Sequence, residues 1–522
     1  MFKRFTFGLY QFGYYSILSL ATILLGLLGI QTLFGGTFIP LQISEEVIFT
    51  SNSPRIYLYL LLFILLLALL YPLLARISSK RLFLLCSLVY LLAGIYLIAN
   101  SSGSIRADAK HVFLAAQAFN QGNYSSLTTP GAYLYRNPHQ LGLMSLERIY
   151  TSIFPNTQFA FVMNLLWVLG SNFLLYRLTD QLVKHPMVTR YTILLTFLFF
   201  PNFLFILFVY GSTPGLFFCL LALWCFVQSE KSKKAWYLIP GSISIGIACS
   251  LRNNYQIFAI MLLGIFLLSM IRKWHWRKPL AMILIIASLL LSTKLIRGYY
   301  EEVTQRPIGP GTPLISYVTM GLRDDPNRKS LGGWYDAYNT KILKRFNYDE
   351  KKANQQAKED LLRRIATFVQ EPRYAVHFFY QKVRSTWTEP TFQSIWTGPQ
   401  LERQQYTYTP LLRSIYEGKQ GYQIANQLGM MLIMACYLAT TGLLLYKMFW
   451  ARLSLQAWDL YPYIFFLGGF AFHFFWETKS QYTYMYVLLL MPSLAQAFVL
   501  SFEGLKKKNH KKIAPQSDIL SL

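Results

Sequence analysis

Carboxylates are scarce in this chain: 522 residues carry 23 Asp and Glu against 49 Lys and Arg. Charged residues of both signs make up only 14% of the sequence and hydrophobic ones 54%, which is too apolar for a string of soluble domains and fits a polytopic membrane protein. Cysteine is also sparse. Cys86, Cys219, Cys225, Cys249 and Cys436 all fall inside apolar runs and none forms a CxxC pair, which excludes a disulfide framework and a cysteine-built zinc site. Internal repeats and low-complexity segments are absent as well. In a soluble protein the net charge of +26 would point to nucleic acid. Here the Lys and Arg residues lie in short loops between apolar runs, the pattern of positive-inside topology and of attraction to anionic headgroups. Membrane lipid is therefore the expected partner and nucleic acid is not.

What the chain has in quantity is long apolar runs. About 20 helical residues cross ~30 Å of hydrocarbon, and about twelve such runs can be placed, near 14–36, 56–76, 82–100, 157–177, 190–210, 214–229, 235–251, 254–271, 279–297, 424–446, 458–476 and 482–502. The pair around "YGSTPG" (210–215) also suits a kinked re-entrant unit. The amino terminus has a basic start and no small-residue cleavage site, so it reads as an uncleaved first span. If the basic segments 76–81, 177–190, 230–234, 271–279, 447–452 and the tail "KKKNHKK" are cytoplasmic, both termini are inside a plasma membrane.

The expected fold is thus an all-α polytopic membrane protein with a mixed, mainly helical extracytoplasmic domain. Residues 1–297 form a bundle that includes an outer loop, 101–156; residues 298–423 form the outer domain, 424–503 the last helices and 504–522 a basic tail. The outer domain holds thirteen of the 23 acidic residues. Within it "DEKKANQQAKEDLLRRIATFVQEP" predicts an amphipathic helix stopped before Pro372, and "RYAVHFFYQKVRSTW" a second helix lying along the membrane.

Threading the chain in this way gathers its polar motifs at one outer boundary, while the middle of the bilayer is nearly free of ionisable groups. That distribution disfavours an ion-coupled transporter, which needs polar groups near the midplane. It suits an enzyme whose lipid-linked substrate keeps its tail in hydrocarbon and its phosphate at the interface. Asp108 is the only acid between Glu46 and Glu147 and stands where a span ends, beside Arg106, Lys110 and His111. It is the candidate general base; the plainer alternative is a carboxylate that caps the following helix or pairs with Arg106 or Lys110. Lys110, Arg136 and His139 are candidates for phosphate or hydroxyl binding, and His139 could equally be an interfacial hydrogen-bonding residue. Arg252 and Asn253 end a helix at the outer boundary, where a desolvated guanidinium calls for an anionic partner unless it snorkels. Glu477 and Lys479 occupy a tight turn between the last two spans. Lys479 is the preferred phosphate ligand there, Glu477 orients it or binds a sugar hydroxyl, and Tyr482 stacks nearby. Asp324 and Asp325 in "RDDPN" read as a solvated turn, and no obligatory metal or other cofactor is expected, although a divalent ion could share such a loop with a phosphate.

Asp108 in an outer loop, "YRNPHQLG" (135–142), the Arg252–Asn253 pair and the late "WE-x-K-x-x-Y" turn (476–482) together resemble bacterial GT-C glycosyltransferases. The likeness is to the family 39 group, the protein O-mannosyltransferase and aminoarabinose-transferase type. Residues 317–339 and 383–396 are similar to stretches in Gram-positive members. In that family the Asp follows the first span, whereas here it follows the third, which implies two extra amino-terminal spans. The resemblance implies transfer of a single sugar from a polyprenyl-phosphate donor to an extracytoplasmic glycan, lipid or protein, with Asp108 as base. An inverting transfer needs only one such carboxylate. The rival readings are a polysaccharide polymerase or ligase and a transporter of lipid-linked sugars.

Overall fold

The structure, a computed structural model, describes residues 2–41, 45–324, 331–399, 407–450 and 456–513. Asp325 and the end of the basic tail lie outside the described residues.

Every apolar run read from the sequence is helical, but the helices are not uniform. Nine among the described residues are long and apolar enough to cross a membrane, and a bent pair makes a tenth. The difference from twelve has local causes. Ala235–Leu251 is a shorter apolar helix, and Tyr461–Phe475 spans only 15 residues before the "WETK" turn. In the run near 190–210, Pro186–Leu198 and Phe200–Leu207 meet at 49°. The break falls at Phe199 (φ −73°, ψ 77°), and Pro201 sits in the first turn of the second helix, where it lacks the amide that would continue the hydrogen bonds of the first.

The first three helices are α1 (Phe2–Phe34), α2 (Arg55–Arg76) and α3 (Ser79–Ala99). Ser78 caps α3 by accepting a hydrogen bond from the Arg81 amide. The main core joins Leu18 and Leu25 of α1 to Leu220, Leu262, Ile433, Phe466 and Tyr486. Outward-facing leucines tell the complementary story: Leu61, Leu65 and Leu69 on α2, Leu85, Leu88 and Leu92 on α3, and Leu290, Leu291 and Leu295 on Arg277–Thr304 are exposed. So much contiguous apolar surface is stable only with hydrocarbon around it, and the backbone groups beneath it are satisfied within helices. The fold is a helical polytopic membrane fold.

Two elements lie at one end of this bundle. The first is a two-stranded antiparallel hairpin between α1 and α2, with β1 (Gly35–Phe38) paired to β2 (Ile48–Ser51). The second is the 298–423 segment, which among its described residues contains helices Leu314–Gly321, Tyr338–Arg345, Glu350–Gln370, Pro372–Trp387 and Pro410–Tyr416, and no strand. Its small core is Met320, Tyr338, Ile342, Leu343, Ala353 and Ala357. The amphipathic helix forms as its spacing predicts, capped by Asp349. Its apolar stripe is not the packed face, however, since Leu362, Ile365 and Val369 are exposed while Ala353 and Ala357 are buried.

Candidate active site

Helix α4 (Ala107–Asn120) follows α3 after a short loop. Ala107 has a φ of 48°, a left-handed conformation rare outside glycine. The chain therefore turns sharply before Asp108, which lands exposed in the first turn of α4. The capping alternative is not realised: Arg106 occupies the N-cap position and no side chain caps the helix. Arg106 instead lies over the Trp396 ring, 4.4 Å from its centroid, and donates to the Trp396 carbonyl at 2.7 Å. Asp108 stands close to the Tyr133 hydroxyl. Its charge also reaches His139, Tyr210, Tyr317, Tyr335, Glu477, Lys479 and Tyr482. Segments far apart in sequence thus converge on one polar cluster, whose surroundings form the candidate recess.

The opposite wall is the turn after Tyr461–Phe475. The 298–423 segment fixes its backbone: the Glu477 amide donates to the Tyr317 carbonyl at 3.0 Å and the Thr478 amide to the Gly333 carbonyl at 3.0 Å. Buried Lys382 donates to the carbonyls of Gly321 (2.5 Å), Phe474 (3.0 Å) and Trp476 (2.8 Å). Gly321 packs so close to the backbone of Phe475–Glu477 that no Cβ would fit there. On this rigid turn Glu477 is 5% exposed and its Oε1 has no hydrogen-bond partner. Burial first, then the nearby charges of Glu45 and Asp108, push its carboxyl up to about 7 against the pull of Lys479.

Lys479 is engaged by a residue that the sequence did not single out. Its Nζ lies 2.7 Å from Glu45 Oε1, with both side chains largely buried, and 5.2 Å from the Tyr335 ring centroid. Glu45 comes from the β1–β2 hairpin. Gln393 Nε2 donates to the same oxygen at 3.3 Å, and Gln393 Oε1 accepts from the Gln481 amide at 3.3 Å. Gln393 is held in turn by fully buried Glu389, which accepts from the Gln393 amide (2.6 Å), from the Thr391 amide and hydroxyl (2.9 and 2.6 Å) and from Ser480 Oγ (2.9 Å). These bonds stabilise two successive left-handed residues, Phe392 and Gln393, at φ 51° and 54°.

The remaining candidates separate clearly. Arg252 lies between two tyrosines, 5.0 Å from the Tyr210 ring centroid and 5.1 Å from that of Tyr482, and donates to Ser212 Oγ. It makes no ion pair with a carboxylate among the described residues. Asn253 beside it is exposed. His139 has an accessible side chain, yet the protein around it removes enough water to hold its imidazole down at about 4, against the opposing charge of Asp108. Both observations fit a residue lining a recess, and the ring is then neutral at physiological pH. Arg136 is committed to structure: Nε donates to the Gly131 carbonyl at 3.0 Å and NH1 to Thr340 Oγ1 at 2.8 Å, while its own carbonyl accepts from the Thr312 amide and hydroxyl, both at 2.8 Å. It docks the outer loop onto the 298–423 segment. Lys110 is exposed, about 200° around the helix from Asp108, and no hydrogen bond or ion pair among the described residues joins its side chain to the recess.

Besides Glu45, Gln393 and Glu389, the sequence reading missed His473. It is 1% exposed, neither ring nitrogen has a hydrogen-bond partner, and it stacks on Tyr482 at 5.7 Å. A histidine in an otherwise apolar span was the available signal. Asp324 accepts from Arg364 at 3.1 Å and from Tyr374 at 2.6 Å. Among the described residues, no group of three or more His, Cys, Asp or Glu is placed to hold a metal ion.

No family model matches the chain, and no curated protein is similar to it. Among solved structures it is similar to the archaeal oligosaccharyltransferase AglB from Archaeoglobus fulgidus in complex with an inhibitory peptide and a dolichol-phosphate. That likeness has a TM-score of 0.42 and 13% identity over 84% of this chain, and the chain spans about half of that protein, 53%. It is also similar to ArnT from Cupriavidus metallidurans bound to undecaprenyl phosphate, with a TM-score of 0.33 and 11% identity over 83% of this chain and 81% of that one.

Proposed function

We propose that the protein is a membrane glycosyltransferase of GT-C type that moves a single sugar from a polyprenyl-phosphate donor to an acceptor hydroxyl outside the cytoplasm. The reading rests on one observation: an accessible carboxylate, Asp108, and Arg252, a cation that has no carboxylate partner among the described residues, both bear on the Tyr210 and Tyr482 hydroxyls at one end of an apolar bundle. The acceptor is a cell-envelope glycan, lipid or protein.

In the reaction the acceptor oxygen attacks the anomeric carbon as the bond from that carbon to the phosphate oxygen breaks. The bonding pair leaves with the phosphate, and Asp108 takes the acceptor proton. Arg252, oriented by Ser212 and its two tyrosines, is the principal phosphate ligand. Its guanidinium offers a planar fork of donors, with only one bond spent on Ser212. Lys479 contributes charge through the N–H groups it does not give to Glu45. Glu477, Asn253, neutral His139 and Tyr482 face sugar hydroxyls, while Arg136 shapes the recess from behind and Lys110, turned away from Asp108, takes no part in the step. No step requires a metal or another cofactor.

The test is reconstituted protein with a synthetic polyprenyl-phosphate sugar and envelope acceptors, read by product mass. Asp108→Asn is expected to lower kcat by about 10²–10⁴, the usual contribution of a general base, with donor binding preserved. An unchanged rate removes Asp108 from the chemistry. A product heavier by a whole glycan rather than one sugar points to a polymerase or ligase.

A further inference from the structure

The opposite end of the bundle carries a second organised site. Helices Ser212–Ser232 and Arg277–Thr304 and the loop after Gln256–Arg272 enclose two adjoining cavities of about 400 and 130 Å³. They share Glu230, Lys273 and Lys278 in their linings, so they adjoin and are described together as one recess. Six cations line it: Lys231, Lys233, Arg272, Lys273, Arg277 and Lys278. The single carboxylate in the lining among the described residues, Glu230, already accepts from Trp458 Nε1 at 2.6 Å.

Positive-inside topology accounts for basic residues in loops, but not for their enclosure around a cavity. Lys278 is only 9% exposed, and its Nζ donates to the carbonyls of Ser269 and Lys273, both at 2.7 Å. Arg277 NH1 donates to the Ser229 carbonyl at 3.2 Å. Lys278 and Arg277 are thus fixed in place, while Lys233, Arg272 and Lys273 extend their charges to the open side of the cavities. Their potential is felt by His275, whose imidazole is held below its ordinary value by desolvation and then by repulsion from Arg277, Lys278, Lys233 and Lys273. Trp236, Trp274 and Trp276 stand exposed on the same loops, the placement of an aromatic belt at headgroup depth.

We propose that this recess binds a phosphate-bearing anion, on the face of the protein opposite Asp108. Its depth beside the exposed tryptophans favours the phosphodiester of an anionic phospholipid headgroup over free phosphate, and cationic pockets between spans are the general means of holding such headgroups. The site is independent of the transferase reading, and its test uses binding rather than catalysis.

Full-length protein in phosphatidylcholine nanodiscs is titrated with phosphatidylglycerol, and bound lipid is counted by native mass spectrometry. In parallel, inorganic phosphate is titrated into detergent-solubilised protein. Lys233→Gln combined with Lys273→Gln removes two exposed cations and is expected to weaken lipid binding about 30-fold, on the order of fivefold per basic residue. Lys80→Gln with Arg81→Gln is the control. Both are exposed near the Ala75 carbonyl that receives Arg190, on the same face but outside the recess. Unchanged melting in phosphatidylcholine shows that each variant is folded. A loss confined to the recess variant supports the site, and the arm in which it occurs identifies lipid or free phosphate as the source. Equal losses in both variants, or none in either arm, overturn it.

Discussion

Removing Glu45 should strand Lys479, and the size of the effect follows from the geometry. The pair is 2.7 Å apart with side chains 10% and 14% exposed, and breaking a buried pair by deleting one partner costs about 3–5 kcal/mol. Lys479 keeps its position over Tyr335 and some contact with the recess, which places Glu45→Ala near the lower end, about 3 kcal/mol. Lys479→Ala leaves Glu45 with the long Gln393 bond at 3.3 Å and should cost about 2–3 kcal/mol. The double variant leaves no orphaned charge and should cost about as much as either single change, a coupling of about 2 kcal/mol. A double-mutant cycle on denaturant unfolding in detergent measures it. Costs that add to within about 0.5 kcal/mol would refute the claim that the hairpin and the turn are joined by this pair.

Two further outcomes test the recess. Arg252→Lys should raise the donor KM about tenfold, because an ammonium cannot present the planar fork that fits between Tyr210 and Tyr482; donor kinetics on the reconstituted protein check this, and an unaltered KM removes Arg252 as a phosphate ligand. The pH dependence of stability should carry two opposing slopes. Glu477 holds its proton up to about 7 when folded but releases it near its ordinary value when unfolded. It therefore lowers stability as pH rises from about 4.5 to 7, by about 3 kcal/mol across the window. His139, held at about 4, has the opposite sign and adds stability as pH rises from about 4 to 6.5. Melting curves of Glu477→Gln and His139→Gln should flatten one slope each, and identical pH profiles for both variants contradict the assignment.

How much of this was legible in sequence depends on the range of the interaction. Apolar runs and capping residues such as Ser78 act within a few residues, so the helices stand where hydropathy puts them. The exception at 186–207 turns on Pro201, whose local rule competes with the apolar run around it. The "WETK" turn stood out because charge is costly between two spans. What it meets was not legible: the partner of Lys479 is 434 positions away, in a hairpin between the first two spans that carries no motif. The opposite error occurred at Arg136, whose motif reads as substrate binding but whose side chain ties Gly131 to Thr340. A guanidinium suits a backbone carbonyl as well as a phosphate, and only the fold decides between them.

Counting matched charges narrows the proposed donor. Lys479 is balanced by Glu45, and buried Lys382 spends its three donor bonds on backbone carbonyls. That leaves Arg252, between Tyr210 and Tyr482, without a carboxylate partner among the described residues. One guanidinium matches the single charge of a polyprenyl-phosphate sugar, a phosphodiester. A diphosphate-linked glycan brings at least one more negative charge into the same space, where two like charges 4 Å apart repel by about 4 kcal/mol at an effective dielectric of about 20. A non-transferable polyprenyl-phosphate sugar, a singly charged phosphodiester, should therefore compete with the donor at least tenfold better than the corresponding polyprenyl-diphosphate sugar, each titrated without divalent ions against transfer by the reconstituted protein. If the diphosphate competes as well as the monophosphate, another cation completes the site, and transfer of a whole glycan becomes the better reading of the recess.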